Sequence, residues 1–479
     1  MIEHLPVLPL VVVLIAALLQ PIIGLRTPRL AWPLAVAAVG VAAGLAAVSL
    51  GVVVGTGTMR YAVGGWEPPW GIEVVLDRLS AFAETVILAV ATFALLAGGR
   101  SVRDRHVRGE PVYYALALLH LTGLTGIAVS GDLFNVFVFL EVASISSYAL
   151  VATGGGPALA AAFRYLVLGT IGASFYLLGV GLLYAVTGTL NMADVAARVP
   201  LIAGSPLFAG GLVFIVAGLV LKMGVFPLHA WLPDAYTHAP SHVVALLAPV
   251  ATKAAAYTLA RTFLYVLGAG ELPIATLLAW TGAASVLAGG VMAVRQVEPR
   301  RLLAYSSISQ LGYIVLGLGL ANAAALAGAY LHILNHALMK AILFIAVGAA
   351  SRGVVGRAAI SWRMPITATC AVIASLSMIG VPPFGGFFSK WYLLEGALAS
   401  GQPLFVAVIL AGTLLAVGYT YRLTEAVWFA DTAEVPGARR EAPVSVLTSL
   451  VVLSAASVIA GLASAGIVDA VLAPAAPGR

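Results

Sequence analysis

The chain is a succession of apolar runs, each long enough to cross a lipid bilayer. That repetition excludes most of what a 479-residue polypeptide could otherwise fold into. A membrane span takes about 20 consecutive apolar residues. Fourteen runs meet this length, at roughly 7–25, 31–54, 77–98, 112–130, 133–153, 160–187, 207–228, 243–267, 273–294, 302–321, 324–350, 365–400, 403–428 and 445–472. Hydrophobic residues make up 61% of the chain and charged residues 9%, against about 25% charged in soluble domains. A water-soluble fold of this length could not hide so much apolar surface, so the bilayer is its solvent. The first run lacks a small-x-small cleavage site and is followed by further spans, so it reads as a retained helix rather than a signal peptide. A single cysteine, Cys370, leaves no internal disulfide, iron–sulfur cluster or cysteine-ligated metal site. No cofactor is expected.

Two spans are interrupted. The seventh carries Val-Phe-Pro at 225–227, and the twelfth carries "GVPPFGGFFSK" at 380–390. Proline stops the helical hydrogen-bond ladder and frees carbonyls. In lipid this is tolerated only where protein or a water-filled cavity covers them. Pro227, Pro382 and Pro383 are therefore read as deliberate breaks, with Gly385 and Gly386 letting the chain turn without side-chain clash.

Arginine sets the expected orientation. Loops after spans 1, 3, 5, 9, 11 and 13 carry sixteen arginines, Arg164 among them, and the loops after spans 4, 8, 10 and 12 carry none. The positive-inside rule puts the first set in the cytoplasm and both termini outside. The net charge of +6 comes mostly from these arginines, so it speaks of topology and not of nucleic acid. Spans 4–8 and 9–13 each form a group of five whose fourth member is broken. From residue 112 to Pro227 is 115 residues, and from 273 to Pro382 is 109. Because five is odd, the second copy enters the membrane from the opposite side, as in inverted-repeat transporters with working groups near the midplane. The expected fold is an all-α integral membrane protein of about fourteen transmembrane helices, with two inverted five-helix repeats and broken helices 7 and 12. Its divisions are 1–111, 112–268, 269–428 and 429–479.

The chain has only four lysines, Lys222, Lys253, Lys340 and Lys390, and all fall inside spans or at their breaks. A lysine at the bilayer centre costs about 2.5–3.5 kcal/mol on insertion scales, so four of them need a reason. Arginine stays protonated at any accessible pH, whereas a lysine withdrawn from water gives up its proton far more readily. Lysine is thus the cation to place where a proton must come and go. Glu141, in mid-span in "FNVFVFLEVASISSYAL", must pair with a cation, be protonated or touch water. Lys222 is its expected partner, and such a pair works as a switch: separating it removes the support for the Lys222 charge. His332, His336 and Lys340 recur at i, i+4 and i+8 in "LHILNHALMK". At about 100° per residue they drift only about 40° per step, which makes one stripe. The stripe would join Lys253 to Lys390, with histidine suited to passing protons. His229, Asp234 and His238, in the loop after the first break, are a candidate water entry or a cap on the next helix.

Each feature has a plainer reading. A lone lysine can snorkel to the surface, Lys340 being the readiest to do so. His332 and His336 lack a third ligand at useful spacing for a metal, but could be a packed polar stripe with no transport role. Glu84, Glu395, Glu425 and Asp469 read as solvated or helix-pairing groups.

Four motifs carry a family resemblance: "LKMGVFPLHAWLPDAYTHAP" (221–240), "RRLLAYSSISQLGY" (300–313), "FNVFVFLEVASISSYAL" (134–150) and "GVPPFGGFFSK" (380–390). They resemble the proton-translocating antiporter-like subunits shared by Mrp-type sodium/proton antiporters, respiratory complex I and membrane-bound energy-converting hydrogenases. The resemblance covers about residues 60 to 470. "FNVFVFLEVASISSYAL" and "TGTLNMADVA" (187–196) look most like the D-type subunit of the Mrp antiporters and its hydrogenase counterpart. The resemblance implies that the family's helix 5 glutamate and its lysines of helices 7, 8 and 12 fall on Glu141, Lys222, Lys253 and Lys390. Lys390 argues against the middle complex I antiporter-like subunit, which carries glutamate there. The chain's short continuation after span 14 argues against the distal complex I subunit and the large Mrp subunit. Arg164 stands where relatives often carry lysine.

The first expected function is a proton-translocating subunit of a multi-subunit monovalent cation (Na+)/proton antiporter in the cell membrane. The second is the same machinery in a complex I-like or hydrogenase-like assembly, with every redox centre in partner subunits. The third is a structural scaffold. The expected partners are other membrane subunits, protons, Na+ and lipid.

Overall fold

The computed structural model describes residues 2–105, 109–268, 273–353, 364–428, 441–473 and 475. Apolar sequence in long uninterrupted runs gives helices α1 (Leu8–Arg26), α2 (Ala31–Thr56), α3 (Arg78–Arg105), α4 (Glu110–Val129), α5 (Leu133–Ala152) and α6 (Pro157–Thr187). A short helix α7 (Met192–Ile202) precedes the first broken span, which consists of α8 (Pro206–Met223) and α9 (Trp231–His238). Then come α10 (Ser241–Ala260), continued by a π-helical turn at Arg261–Leu267, α11 (Ile274–Val294), α12 (Pro299–Leu320) and α13 (Ala323–Gly353). The second broken span is α14 (Pro365–Ile379) and α15 (Gly385–Ala399), followed by α16 (Pro403–Trp428) and α17 (Val444–Leu462).

Thirteen of the described helices are long and apolar enough to cross a membrane. The remaining expected span, 365–400, is the pair α14 and α15, of 15 residues each. Helices α10, α12 and α13 are buried along nearly their whole length, whereas α1, α2 and α6 keep large apolar side chains such as Leu18, Ile22 and Phe163 on the outside. The molecule is therefore a helical layer with a three-helix axis, and the apolar periphery is what lipid or neighbouring subunits cover. The polar residues of the candidate site gather along that axis.

Two elements were not anticipated. An antiparallel hairpin, β1 (Met59–Ala62) with β2 (Glu73–Leu76), follows α2. The buried carboxylate of Glu73 takes the Arg60 guanidinium at 2.8 Å and the Asn191 amide at 2.8 Å. Asn191 also caps α7 by accepting from the backbone N–H groups of Ala193 and Asp194. The hairpin and α7 thus lie at one end of the bundle. Four arginines, Arg60, Arg78, Arg198 and Arg261, also occupy this end, in places the loop pattern left out. Three of them are tied to carboxylates, on Glu73, Asp194 and Asp77. At the opposite end Asp234 joins two arginines, Arg164 at 2.6 Å and Arg301 at 3.3 Å. Arg108, Arg357, Arg363, Arg439 and Arg440 lie outside the described residues, as does the side chain of Arg352.

Candidate functional site

The first break is built by local rules. Helix α8 ends because Gly224 takes a left-handed conformation, φ +69°, that glycine adopts without strain. A side chain there would also come within 2.8 Å of Leu232. The Leu221 carbonyl at this end accepts both the Gly224 N–H and the Trp231 indole N–H, each at 3.0 Å. The Phe226 N–H donates to Ser285 on α11 at 3.0 Å. Lys222 sits in the last turn before the break and reaches α5, where Glu141, Ser144 and Tyr148 share one face at i, i+3 and i+7. Its Nζ lies 3.6 Å from Glu141 Oε1 and donates to Ser144 Oγ at 2.7 Å and to Tyr148 OH at 3.4 Å. The Lys222 side chain is 8% exposed and that of Glu141 26%.

The second break has a different plan. Helix α14 ends at Gly380, φ +95°, whose N–H and that of Val381 both return to the Leu376 carbonyl. The carbonyls of Met378 and Ile379 are left over, as the last carbonyls of any helix are. Lys390, on α15 across the break, donates to both at 3.0 Å. Its ammonium lies 4.8 Å from the centre of the Tyr313 ring, close enough for a cation–π contact. Lys222 therefore precedes its break and Lys390 follows its own. Gly385 and Gly386 are required by crowding: a Cβ on the first would meet Asn335 Oδ1 at 2.2 Å, and on the second Ser377 O at 1.8 Å. Asn335 uses that closeness to donate to the Gly385 carbonyl at 2.6 Å.

Between the breaks, Lys253 on α10 is buried and donates to the Ala248 carbonyl at 2.7 Å and to Thr252 Oγ1 at 3.3 Å. His336 lies within electrostatic range of both Lys253 and Lys340, and neither of its ring nitrogens has a hydrogen-bond partner among the described residues. Its ring stacks 6.0 Å from that of His332. His332 and Ser389 close the step to α15: His332 Nδ1 is 2.9 Å from Ser389 Oγ, next in sequence to Lys390. His332 Nε2 is 3.1 Å from Gln310 Oε1, so both its nitrogens are engaged. Lys340 does not snorkel. It is fully buried and donates to Ser306 Oγ at 2.6 Å and the Leu303 carbonyl at 3.0 Å.

The stripe on α13 thus meets a matching stripe on α12. Ser306, Gln310 and Tyr313 follow one another at helical spacing and touch Lys340, His332 and Lys390 in turn. They lie in the quoted "RRLLAYSSISQLGY" but were given no role. A polar period of three and four residues inside an apolar helix was the signal. Of the candidate entry residues, Asp234 is the double arginine partner, His238 is exposed, and His229 is half-buried between Phe226 and Tyr305. Glu84 corrects the reading of a solvated group. It is fully buried on α3, and neither carboxylate oxygen has a hydrogen-bond partner among the described residues. Seven residues from a span end is deep enough to bury it once α3 packs against α10. Glu395 and Glu425 do lie at the surface, on Trp391 and Arg422.

This geometry can hold protons. It contains the Glu141–Lys222 acid–base pair, three further buried amines held by hydroxyls or backbone carbonyls with no carboxylate partner among the described residues, and two stacked imidazoles, of which His332 is hydrogen-bonded and His336 is not. Residues 130–416 match the family model described as NADH:quinone oxidoreductase/Mrp antiporter, TM. The chain is 44% identical to the NADH-quinone oxidoreductase N subunit of Desulforudis audaxviator, over 100% of both chains. It is 30% identical to the Na(+)/H(+) antiporter D subunit of Bacillus subtilis, covering 79% of this chain and 78% of the other. A chain in the solved structure of an archaeal membrane-bound sulfane sulfur reductase, a respiratory membrane complex, superposes with a TM-score of 0.90 at 31% identity, covering 98% of this chain and 96% of that one. The chain belongs to the family of multi-pass membrane subunits common to NADH:quinone oxidoreductases and Mrp antiporters.

Proposed function

We propose that this chain is the proton-translocating membrane subunit of a multi-subunit monovalent cation/proton antiporter, lying in the cell membrane with both termini outside. The observation that carries the reading is the Glu141–Lys222 pair, 3.6 Å apart on two different helices and beside a helix break. While the pair is closed, each charge compensates the other. When it opens, a buried charge stands alone, at a cost of roughly 3–5 kcal/mol. Loss of the Lys222 proton is the available relief. Lys253, His336, Lys340, His332 and Lys390 then provide stations across the buried axis, and the two breaks supply carbonyls that solvate an ammonium without fixing it. His229, Asp234 and His238 sit where water would enter after the first break.

A second reading couples the same path to redox chemistry in partner subunits. The full-length identity of 44% to a quinone oxidoreductase subunit favours it. The discriminating experiment is purification of the native complex, identification of its subunits and reconstitution into vesicles. Proton movement driven by a Na+ gradient supports antiport. Proton movement only on addition of an electron donor and a quinone supports the second reading. Proton movement under neither condition would remove both.

A further inference from the structure

A cavity of about 40 Å3 lies beside Lys222, well above the ~10–15 Å3 that one water requires. Its polar lining is Lys222, Ser144, Ser147, Tyr165, Thr258 and His120. The far wall is the alanine face of α10, Ala251, Ala254 and Ala255. Lys253 projects from the other side of that helix, about 100° or more away from each of them. The cavity is therefore a chamber on the Lys222 side, and Lys222 is the one lysine or arginine among the described residues that line it. The elements around it place Glu141 and Tyr148 near Lys222 on α5 and Tyr165 on α6, while α10 brings no charge to this wall.

His120, in the middle of α4, is 1% exposed. Its Nδ1 is 2.8 Å from the Ala143 carbonyl, an acceptor, so Nδ1 carries the proton. Its Nε2 is then a bare acceptor, and it has no hydrogen-bond partner among the described residues. The ring reaches Ala143 because α4 and α5 touch backbone to backbone. At Gly123 a Cβ would stand 2.5 Å from Ala143 N and 2.6 Å from Phe139 O.

We propose that His120 Nε2 is the acceptor of the Lys222 proton. The proposal rests on the proton-translocation reading above and adds a station to it. When Glu141 and Lys222 separate, an N–H bond of the ammonium breaks and its electron pair stays on Nζ. The proton passes through a cavity water to Nε2. The product is a neutral amine and an imidazolium whose Nδ1–H still donates to Ala143. Because Nδ1 faces a backbone carbonyl, which accepts a hydrogen bond but does not take up a proton, the proton leaves again by Nε2, into the same chamber.

The test uses the whole complex in vesicles, with assembly followed on native gels. His120→Gln keeps an amide N–H for Ala143 but cannot take a proton. It is expected to assemble and to lower the rate of proton movement at least tenfold. His120→Ala is expected to be restored in part by imidazole and not by pyrazole, which has the same shape and is a far weaker base; this comparison also decides the matter if His120→Gln fails to assemble. Wild-type rates in His120→Gln, or equal rescue of His120→Ala by both compounds, would overturn the proposal. Glu141→Gln is measured alongside. If it too moves protons at the wild-type rate, the translocation reading itself fails, and not merely the role of His120.

Discussion

Lys390 donates to the carbonyl of Ile379 across a gap in its own span, at 3.0 Å. With the equal contact to Met378, the ammonium takes the place of the helical N–H groups that the break removed. The C-terminal end of a helix also carries partial negative charge, which favours a cation there. The lysine thus completes a structural joint as well as standing at a proposed proton station, and substitutions can separate the two duties.

Lys390→Gln keeps a donor for the stranded carbonyls and loses the titratable amine. It should assemble with close to wild-type stability while proton movement falls at least tenfold. Lys390→Glu sets a carboxylate against two carbonyl oxygens and fits only when protonated. It should lower the unfolding temperature of the purified complex more than Lys390→Gln does. Stability in the reverse order would mean that the carbonyl contacts do not hold the break together.

Glu141→Gln and Lys222→Ala should both abolish ion-coupled proton movement while the complex still assembles. Ser144 and Tyr148 remain to hold Lys222 in the first variant. Glu141→Ala should be less stable than Glu141→Gln by about 1–3 kcal/mol, because it also removes the side-chain oxygen that glutamine would still offer the ammonium. Vesicle transport at the wild-type rate in either Glu141→Gln or Lys222→Ala would take the switch out of the mechanism.

Gly386→Ala should disrupt folding, since its Cβ would lie 1.8 Å from the Ser377 carbonyl oxygen, a backbone atom that cannot turn aside. A cost at or above the ~1–3 kcal/mol typical of overpacking is expected. Gly181→Ala, on α6, meets nothing within 4 Å and should be neutral or slightly stabilising. Thermal unfolding of the two variants in detergent measures the contrast.

Glu84→Met should leave stability unchanged or raise it. The carboxyl makes no hydrogen bond among the described residues, and replacing an unsatisfied buried polar group by an apolar one of similar shape is neutral to favourable. A clear loss of thermal stability would show that Glu84 gains a partner in another conformation of the protein.

Membrane architecture and the buried charged residues were legible because both are written locally. Span length, the two breaks and the lysine-to-arginine partition need no knowledge of packing. The Glu141–Lys222 pairing was legible too, since opposite charges in lipid must meet. What the sequence did not yield depends on which faces pack. Glu84 looked terminal along α3, and only the seat of α3 against α10 buries it. Nothing in the sequence around His120 singles it out within its apolar run. Its place comes from the contact of Gly123 with Ala143, which lets one ring nitrogen reach a carbonyl while the ring lines a cavity. Ser306, Gln310 and Tyr313 acquire partners only when α12 and α13 are placed side by side.

Orientation is the prediction on which the direction of transport depends. The hairpin 59–76 and α7 share one end of the bundle, joined by Asn191 and Glu73. Four arginines, Arg60, Arg78, Arg198 and Arg261, lie at that end, while the other end carries ten among the described side chains, Arg26, Arg29, Arg100, Arg103, Arg105, Arg164, Arg295, Arg300, Arg301 and Arg422. The side richer in lysine and arginine is the cytoplasmic one, which puts the hairpin and α7 outside. Trp70 is 90% exposed and Leu201 86%, both at the proposed outer end, and Val297 is 78% exposed at the other. Single cysteines at these positions and at Arg105, in a Cys370→Ser background, can be labelled with an impermeant thiol reagent in intact cells. Trp70→Cys and Leu201→Cys should react, and Val297→Cys and Arg105→Cys should react only after the membrane is opened. The opposite pattern would invert the molecule, so that Lys222 would exchange protons with the other compartment. Labelling of Trp70→Cys together with Arg105→Cys would be more serious. It would mean that α3 does not cross the membrane, and the alternation that relates the two broken spans would be lost.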